Sequence, residues 1–159
     1  MTTGLGWLKG YKDALAAAQL SMPDSYVVTA HDDATGYEAA RRLLALKPRP
    51  DGRSGYNDLT AAGALKAILE AQIRIPEDIK VIGVGNVHYS ALLRVPLYTI
   101  DQSSHSIGEQ AAEILLKAIG PKRRRPARNV IIEPKLVVRE STAAQYGSKR
   151  AIGTVRPQD

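Results

Sequence analysis

Four clusters of short polar side chains punctuate the 159-residue chain, each placed directly after a strand-like run: His31-Asp32-Asp33, Asn57-Asp58, Gly85-Asn86 and Asp101-Gln102. Carboxylates and carboxamides supply the paired hydrogen-bond donors and acceptors that a polyhydroxylated small molecule needs. In an open α/β sheet, ligands bind outside the carboxyl ends of the strands. If the preceding runs are such strands, the four clusters converge on one rim. His31, Asn57, Asp58, Asn86 and Gln102 are therefore the candidate ligand-binding residues. Asn57 and Asp58 have a second reading as caps of the helix that follows, because Asn and Asp accept from first-turn N–H groups. For Asp58 alone, capping is the safer role.

The same rim offers little to a catalyst. Gly83-Val-Gly85 begins like a dinucleotide fingerprint, but His88 stands at the third glycine position and no long helix opens there to receive a pyrophosphate. The three His, at 31, 88 and 105, lack the i, i+4 partner of a helical zinc motif, and Cys is absent. There is no Walker pattern and no G-x-S-x-G elbow. The expectation is a binding protein with no cofactor, no metal and no catalytic residue.

Positioning such a rim takes a regular alternation of elements. Tyr26-Val-Val-Thr-Ala30, the segment ending at Tyr56, and Lys80-Val-Ile-Gly-Val84 read as strands at nearly constant spacing. The helix between the first two should begin near Thr35, where Thr35-Gly-Tyr-Glu38 fits a capping box, and present Tyr37, Ala40, Leu43 and Leu44 on one face. The next should begin after Asn57-Asp58 and bury Ala61, Leu65, Ile68 and Leu69. This order predicts an α/β fold with a right-handed βαβαβ unit and a parallel sheet. A helix from Trp7 to Leu20 should precede it. Another, from Ser106 to Ile119, should follow with a box at Ser106-Ile-Gly-Glu109 and an apolar face of Ile107, Ala111, Ile114, Leu115 and Ala118. Val130-Ile-Ile132 and Leu136-Val-Val138 read as two strands broken at Glu133-Pro134. Pro50-Asp-Gly-Arg-Ser-Gly-Tyr56 breaks the pattern, because a central parallel strand is normally a near-continuous apolar run. It is either an edge strand or a weak point of the lobe.

Composition is that of a soluble globular domain, 44% hydrophobic and 24% charged, with Leu, Ile, Val and Ala left to build a core that has no Phe. The absence of Cys fits a cytoplasmic protein, and neither a signal core nor a membrane-spanning run is present. The net charge of +6 gathers at Lys122-Arg-Arg-Arg125 and Arg128, with Lys149, Arg150 and Arg156 beyond. Without interleaved aromatics this reads as a solvated basic loop, with a nucleic-acid patch as the alternative.

Several segments, taken in order, resemble the effector-binding core of the lac repressor and galactose repressor family of bacterial transcription regulators. They are Thr35-Gly-Tyr37 before a helix, Tyr56-Asn-Asp-Leu-Thr-Ala-Ala-Gly-Ala-Leu65, Ile75-Pro-Glu-Asp-Ile-Lys-Val-Ile-Gly83, Val95-Pro-Leu-Tyr-Thr-Ile-Asp-Gln102 and Leu136-Val-Val-Arg-Glu-Ser-Thr142. The resemblance covers about residues 4 to 142. It implies a type I periplasmic-binding-protein-like lobe with an incomplete second lobe, a small-molecule effector such as a sugar or purine, and a cytoplasmic homodimer without a membrane partner. Operator DNA would be reached only through an N-terminal helix-turn-helix that has no counterpart here, so the chain is expected to be an N-terminally truncated member.

By motif, the resemblance gives Asn57 an effector hydrogen bond, places His31 where an aromatic residue often covers the ligand, and sets Gln102 on the crossover between lobes. It puts Ala62 and Leu93 at a dimer contact. The implied divisions are residues 1–102 as the effector-binding lobe core, 103–120 as a helix that packs on the absent N-terminal lobe, 121–142 as basic loop and terminal strands, and 143–159 as a disordered tail. Trp7 and Gly85 depart from the family, which often carries an Arg and an Asp there. Alternatives are a sugar-binding protein of a transport system, a small α/β enzyme and a non-functional gene fragment.

Overall fold

The computed structural model describes residues 3–119 and 129–142. Among the described residues, four helices and four strands follow in the order α1 (Thr3–Ala17), α2 (Asp33–Leu44), β1 (Gly52–Ser54), α3 (Asp58–Glu70), β2 (Lys80–Val84), β3 (Tyr98–Asp101), α4 (Ser104–Ile119) and β4 (Lys135–Val137), with 3-10 turns at Asp24–Tyr26 and His88–Ala91. One sheet has the order β1-β2-β3-β4. Its first three strands are parallel, and β4 runs antiparallel to β3. The expected α/β class holds, and the parallel pairing continues into β3.

The core is the layer between α3 and the sheet. Ala61, Leu65 and Ile68 of α3 meet Ile79, Val81 and Leu97, with Ile73, Ile75, Leu93 and Val95 packed around them. Helix α2 lies on α3 through small residues. Ala40, Ala64 and Ala67 are buried together, with Tyr37 against them. A methyl group on Gly36 would overlap the Thr60 carbonyl oxygen, and one on Gly63 would overlap that of Asp33. The missing side chains let the two helix N-termini lie side by side, which brings the first two polar clusters together.

Three expectations need correction. Tyr26–Ala30 is not a strand. After the 3-10 turn the chain is extended, and the Tyr26 hydroxyl donates to the Pro48 carbonyl at 2.7 Å. The reason lies in its intended neighbour. β1 is three residues long with Gly52 and Ser54 exposed, and Arg53 stands where a central strand would carry an apolar side chain. Its guanidinium donates to Gly36 O at 3.2 Å, and burial pulls its pKa down to about 10. β1 is thus an edge strand, the first of the two readings of that segment.

Val130-Ile-Ile132 likewise forms no strand, and β4 occupies only Lys135–Val137. The helix starts also shift. Asp32, not Thr35, caps α2, and α4 begins at Ser104 rather than Ser106 because the Ile107 N–H already reaches Ser103 O at 3.1 Å. The opening helix sits earlier than Trp7 to Leu20. The basic knot at 122–125 and 128 and the tail at 143–159 lie outside the described residues.

Candidate functional site

Three polar clusters sit where a strand or its extension gives way to a helix or turn, and His31-Asp32-Asp33 leads from non-strand chain into α2. Asp32 and Asn57 make matching capping boxes. The Asp32 carboxylate accepts from the Thr35 N–H at 2.8 Å and Asn57 Oδ1 from the Thr60 N–H at 2.8 Å, while the two Thr hydroxyls accept from the cap N–H groups. Capping therefore uses the oxygen of Asn57. Its Nδ2 has no acceptor among the described residues, so a donor remains on the rim. The Thr35 hydroxyl, then the Thr35 N–H, holds the Asp32 carboxyl below its usual range. His31 is exposed, and its backbone N–H donates to Thr35 Oγ1 at 2.9 Å.

Asp58 does something different. It is 1% exposed, with Oδ1 accepting from the Thr99 hydroxyl at 2.5 Å and Oδ2 from the Val87 N–H at 2.9 Å. The carboxylate lies against Gly83, where a methyl group would overlap Oδ1. As the first residue of α3 it also meets the positive end of that helix. Asp58 ties α3 to β3 and to the loop after β2. It lies beneath the rim rather than on it, which corrects its place among the candidates. It is not the cap either, since Asn57 fills that position.

Asn86 is also engaged. Its Nδ2 donates to Asp101 Oδ2 at 3.0 Å, and its Oδ1 accepts from Arg139 Nη2 at 2.8 Å. Among the described residues it is one of four non-glycine residues with positive φ, at 49°, next to Gly85 at 124°. Asn tolerates this left-handed conformation, and Gly meets no steric cost in it. Arg139 further donates to Ser90 Oγ at 3.1 Å and Leu97 O at 2.9 Å. Asp101 Oδ1 accepts from the Ser103 N–H at 2.7 Å. That bond first, then the Asn86 amide, keeps the Asp101 carboxyl below its usual range. Gln102 is half-buried beside it, and its side chain makes no hydrogen bond to a described residue.

The structure thus brings His31, Asn57, Asn86 and Gln102 to helix starts and strand ends, with Asp58 under them. Ala62 is half-buried on α3, and Leu93 is half-buried against the core. Asp101 and Arg139 were missed as partners. Asp101 belongs to one of the four clusters and Arg139 to the Leu136–Thr142 segment, but nothing local in the sequence pairs either of them with Asn86, 15 and 53 positions away. A recess of about 180 Å³ lies elsewhere, along β1 and β2 with Tyr11 and Thr142. None of the candidate residues lines it. Among the described residues no group of His, Cys, Asp and Glu could hold a metal ion, and no helix is long and apolar enough to cross a membrane.

A parallel-stranded α/β unit with acceptors and donors at the carboxyl ends of its strands has the form of a ligand-binding lobe. The chain belongs to the Periplasmic binding protein-like domain family, which it matches over residues 2–142, and it forms part of an effector-binding domain of the lac and galactose repressor type. The HTH-type transcriptional repressor PurR of Mannheimia succiniciproducens is 38% identical over 134 residues, 84% of this chain and 40% of the relative. The structure of a transcriptional regulator CelR–cellobiose complex superposes with a TM-score of 0.79 at 29% identity, covering 89% of this chain and 43% of that one. A LacI family regulator from Lactobacillus casei with bound glucose gives 0.77 at 26% identity, with 89% and 51% covered. The chain therefore spans two fifths to one half of the proteins it matches.

Proposed function

We propose that this chain is the effector-binding portion of a cytoplasmic transcription regulator and that it binds a sugar or similar small molecule without transforming it. Residues 1–102 make the effector-binding lobe core, and residues 103–120 carry a helix for the other lobe. The observation that carries this reading is the rim itself. Asn57 keeps its amide donor after capping, Gln102 keeps both amide functions, His31 is open to solvent, and Asp32 and Asp101 offer ionised acceptors. Such a set suits the hydroxyls of a sugar and activates no nucleophile or water. The complete regulator would act on operator DNA through a separate domain and pair with a second copy near Ala62 and Leu93. The relatives named above are regulators, which favours this over a transport protein.

Calorimetry with glucose, cellobiose and a purine base tests the reading. Asn57→Asp is the informative variant, because Asp caps as well as Asn but lacks the amide donor. It should weaken binding by about 1–3 kcal/mol, the usual cost of leaving a partner unpaired. Binding should also be weak in the native chain, since an open rim gives little enclosure. Tight binding that Asn57→Asp leaves intact would move the site elsewhere.

A further inference from the structure

Two non-glycine residues near the rim hold left-handed backbone, Asn86 at φ 49° and Ser103 at φ 55°. One carboxylate contacts both. Asp101 Oδ2 accepts from Asn86 Nδ2 at 3.0 Å, and Oδ1 accepts from the Ser103 N–H at 2.7 Å. Ser pays a steric penalty in this conformation that Asn largely escapes through local hydrogen bonding. Ser103 therefore depends on its bond to Asp101. Its own carbonyl then accepts from the Ile107 N–H at 3.1 Å, so the turn leads directly into the first coil of α4. α4 has no buried residue to fix its direction otherwise. At the other end, Arg139 Nη2 holds Asn86 Oδ1 at 2.8 Å, which leaves the Asn86 amide one orientation, Nδ2 toward Asp101.

We infer that Asp101 is a positioning residue that couples the loop after β2, on the ligand rim, to the turn that sets the direction of α4. The Asn86 amide is the link on the rim side. A ligand hydroxyl that competes for Asp101 Oδ2 or for Asn86 Nδ2 loosens the hold on Ser103, and α4 is freed to change direction. This coupling rests on the rim being the ligand site, but the contact network exists without ligand and is tested without it first.

The test is amide NMR with hydrogen exchange on the full chain, comparing the native protein with Asn86→Gly and Asp101→Ala. Glycine keeps the positive φ while deleting the link. Asn86→Gly should shift the Ser103 amide signal and speed exchange of the Ile107 amide at least threefold, although residue 86 touches neither. The core amides of Val81 and Val84 should stay protected. Asp101→Ala should do the same, and the double variant should add nothing further.

Ser103 and Ile107 amides unchanged in Asn86→Gly would overturn the proposal. So would loss of protection at Val81 and Val84, because the network would then be a prop of the fold. Adding glucose or cellobiose to the native chain should reproduce the Ser103 shift. If neither sugar perturbs any rim amide while the variants behave as stated, the ligand reading fails for those sugars and the coupling stands. Perturbation of Asn57 and Gly85 by a sugar without any change at Ser103 would overturn the coupling alone.

Discussion

Helices α3 and α4 carry similar apolar spacing, yet eight of the thirteen residues of α3 are buried and none of the sixteen in α4 is. Ile68 is 0% exposed, whereas Ile107, Ile114 and Leu115 are 49%, 49% and 61% exposed. Periodicity states that a helix face needs cover; it does not supply the cover. α3 finds its cover in β2, the next element in sequence, and in α2, one short strand before it. The apolar strip of α4 is left largely exposed, and Leu136 and Val138 around β4 are similarly open at 65% and 69%. An apolar strip of this kind marks a surface that associates. One part of the molecule is a packed layer, and the other is a set of elements displayed at its edge.

The sharpest way to break that contrast is to delete equivalent side chains from the two helices. Ile68→Ala should cost about 2–5 kcal/mol, since it removes a fully enclosed side chain and leaves a cavity. Leu116→Ala, at a position 70% exposed, should stay within about 0.5 kcal/mol and raise solubility. Urea titration followed by circular dichroism measures both. Equal losses would mean that α4 is covered in solution.

Glycine substitution should separate the helices by sign. A methyl group at Gly63 meets the Asp33 carbonyl and the Tyr37 backbone nitrogen, so Gly63→Ala must push α2 off α3, at about 1–3 kcal/mol. At Gly108 a methyl group meets nothing within 4 Å. Gly108→Ala should therefore stabilise α4 by up to about 1 kcal/mol through helix propensity. The check is the far-UV signal of each variant and its thermal midpoint.

Asp58 sharpens the comparison from the polar side. Asp58→Ala strands the Thr99 hydroxyl and the Val87 N–H, and should cost about 1–3 kcal/mol. Hydrogen exchange at Val87 should rise with it. A neutral result would show that the loop after β2 is held by Asn86 and Arg139 alone.

How far the sequence reached follows the same divide. Helices α2 and α3, the strand at 80–84 and the α3 core face were legible, because their signals are local: Asn and Asp ahead of a helix, and apolar residues at helical spacing, although the caps of α2 and α4 were placed two to three residues late. The strand expected at 26–30 was not, because a strand exists only through its neighbour, and Arg53 in β1 is a poor one. At the site, local rules placed Asn57 and Asn86 correctly at helix start and turn. They could not tell that Asp58 points inward to Thr99, a partner 41 positions away. Nor could they foresee that Arg139 reaches back 53 positions to Asn86. Roles set by distant pairing are invisible to spacing.

The smallest expected effect concerns charge. Asp78 accepts from Arg74 Nη2 at 2.6 Å, Nε at 2.9 Å and the Arg74 N–H at 3.0 Å. That guanidinium, by hydrogen bonding first, lowers the Asp78 pKa to about 2 from 3.8. The bond closes the loop between α3 and β2, which seats Ile73, Ile75 and Ile79 against the core, whereas the Lys117–Glu113 pair of α4 links one turn to the next. Because the folded pKa is the lower one, the contribution of Asp78 to stability is present above the unfolded value and disappears as pH falls from about 4 to about 2. The native chain should therefore lose more thermal stability across that window than Asp78→Asn. The pair is solvent-exposed on the Arg74 side, at 70%, so the difference in midpoint should be small and shrink with added salt. Superimposable pH profiles of the two proteins would show that the loop is held by its apolar contacts and that the ion pair contributes nothing.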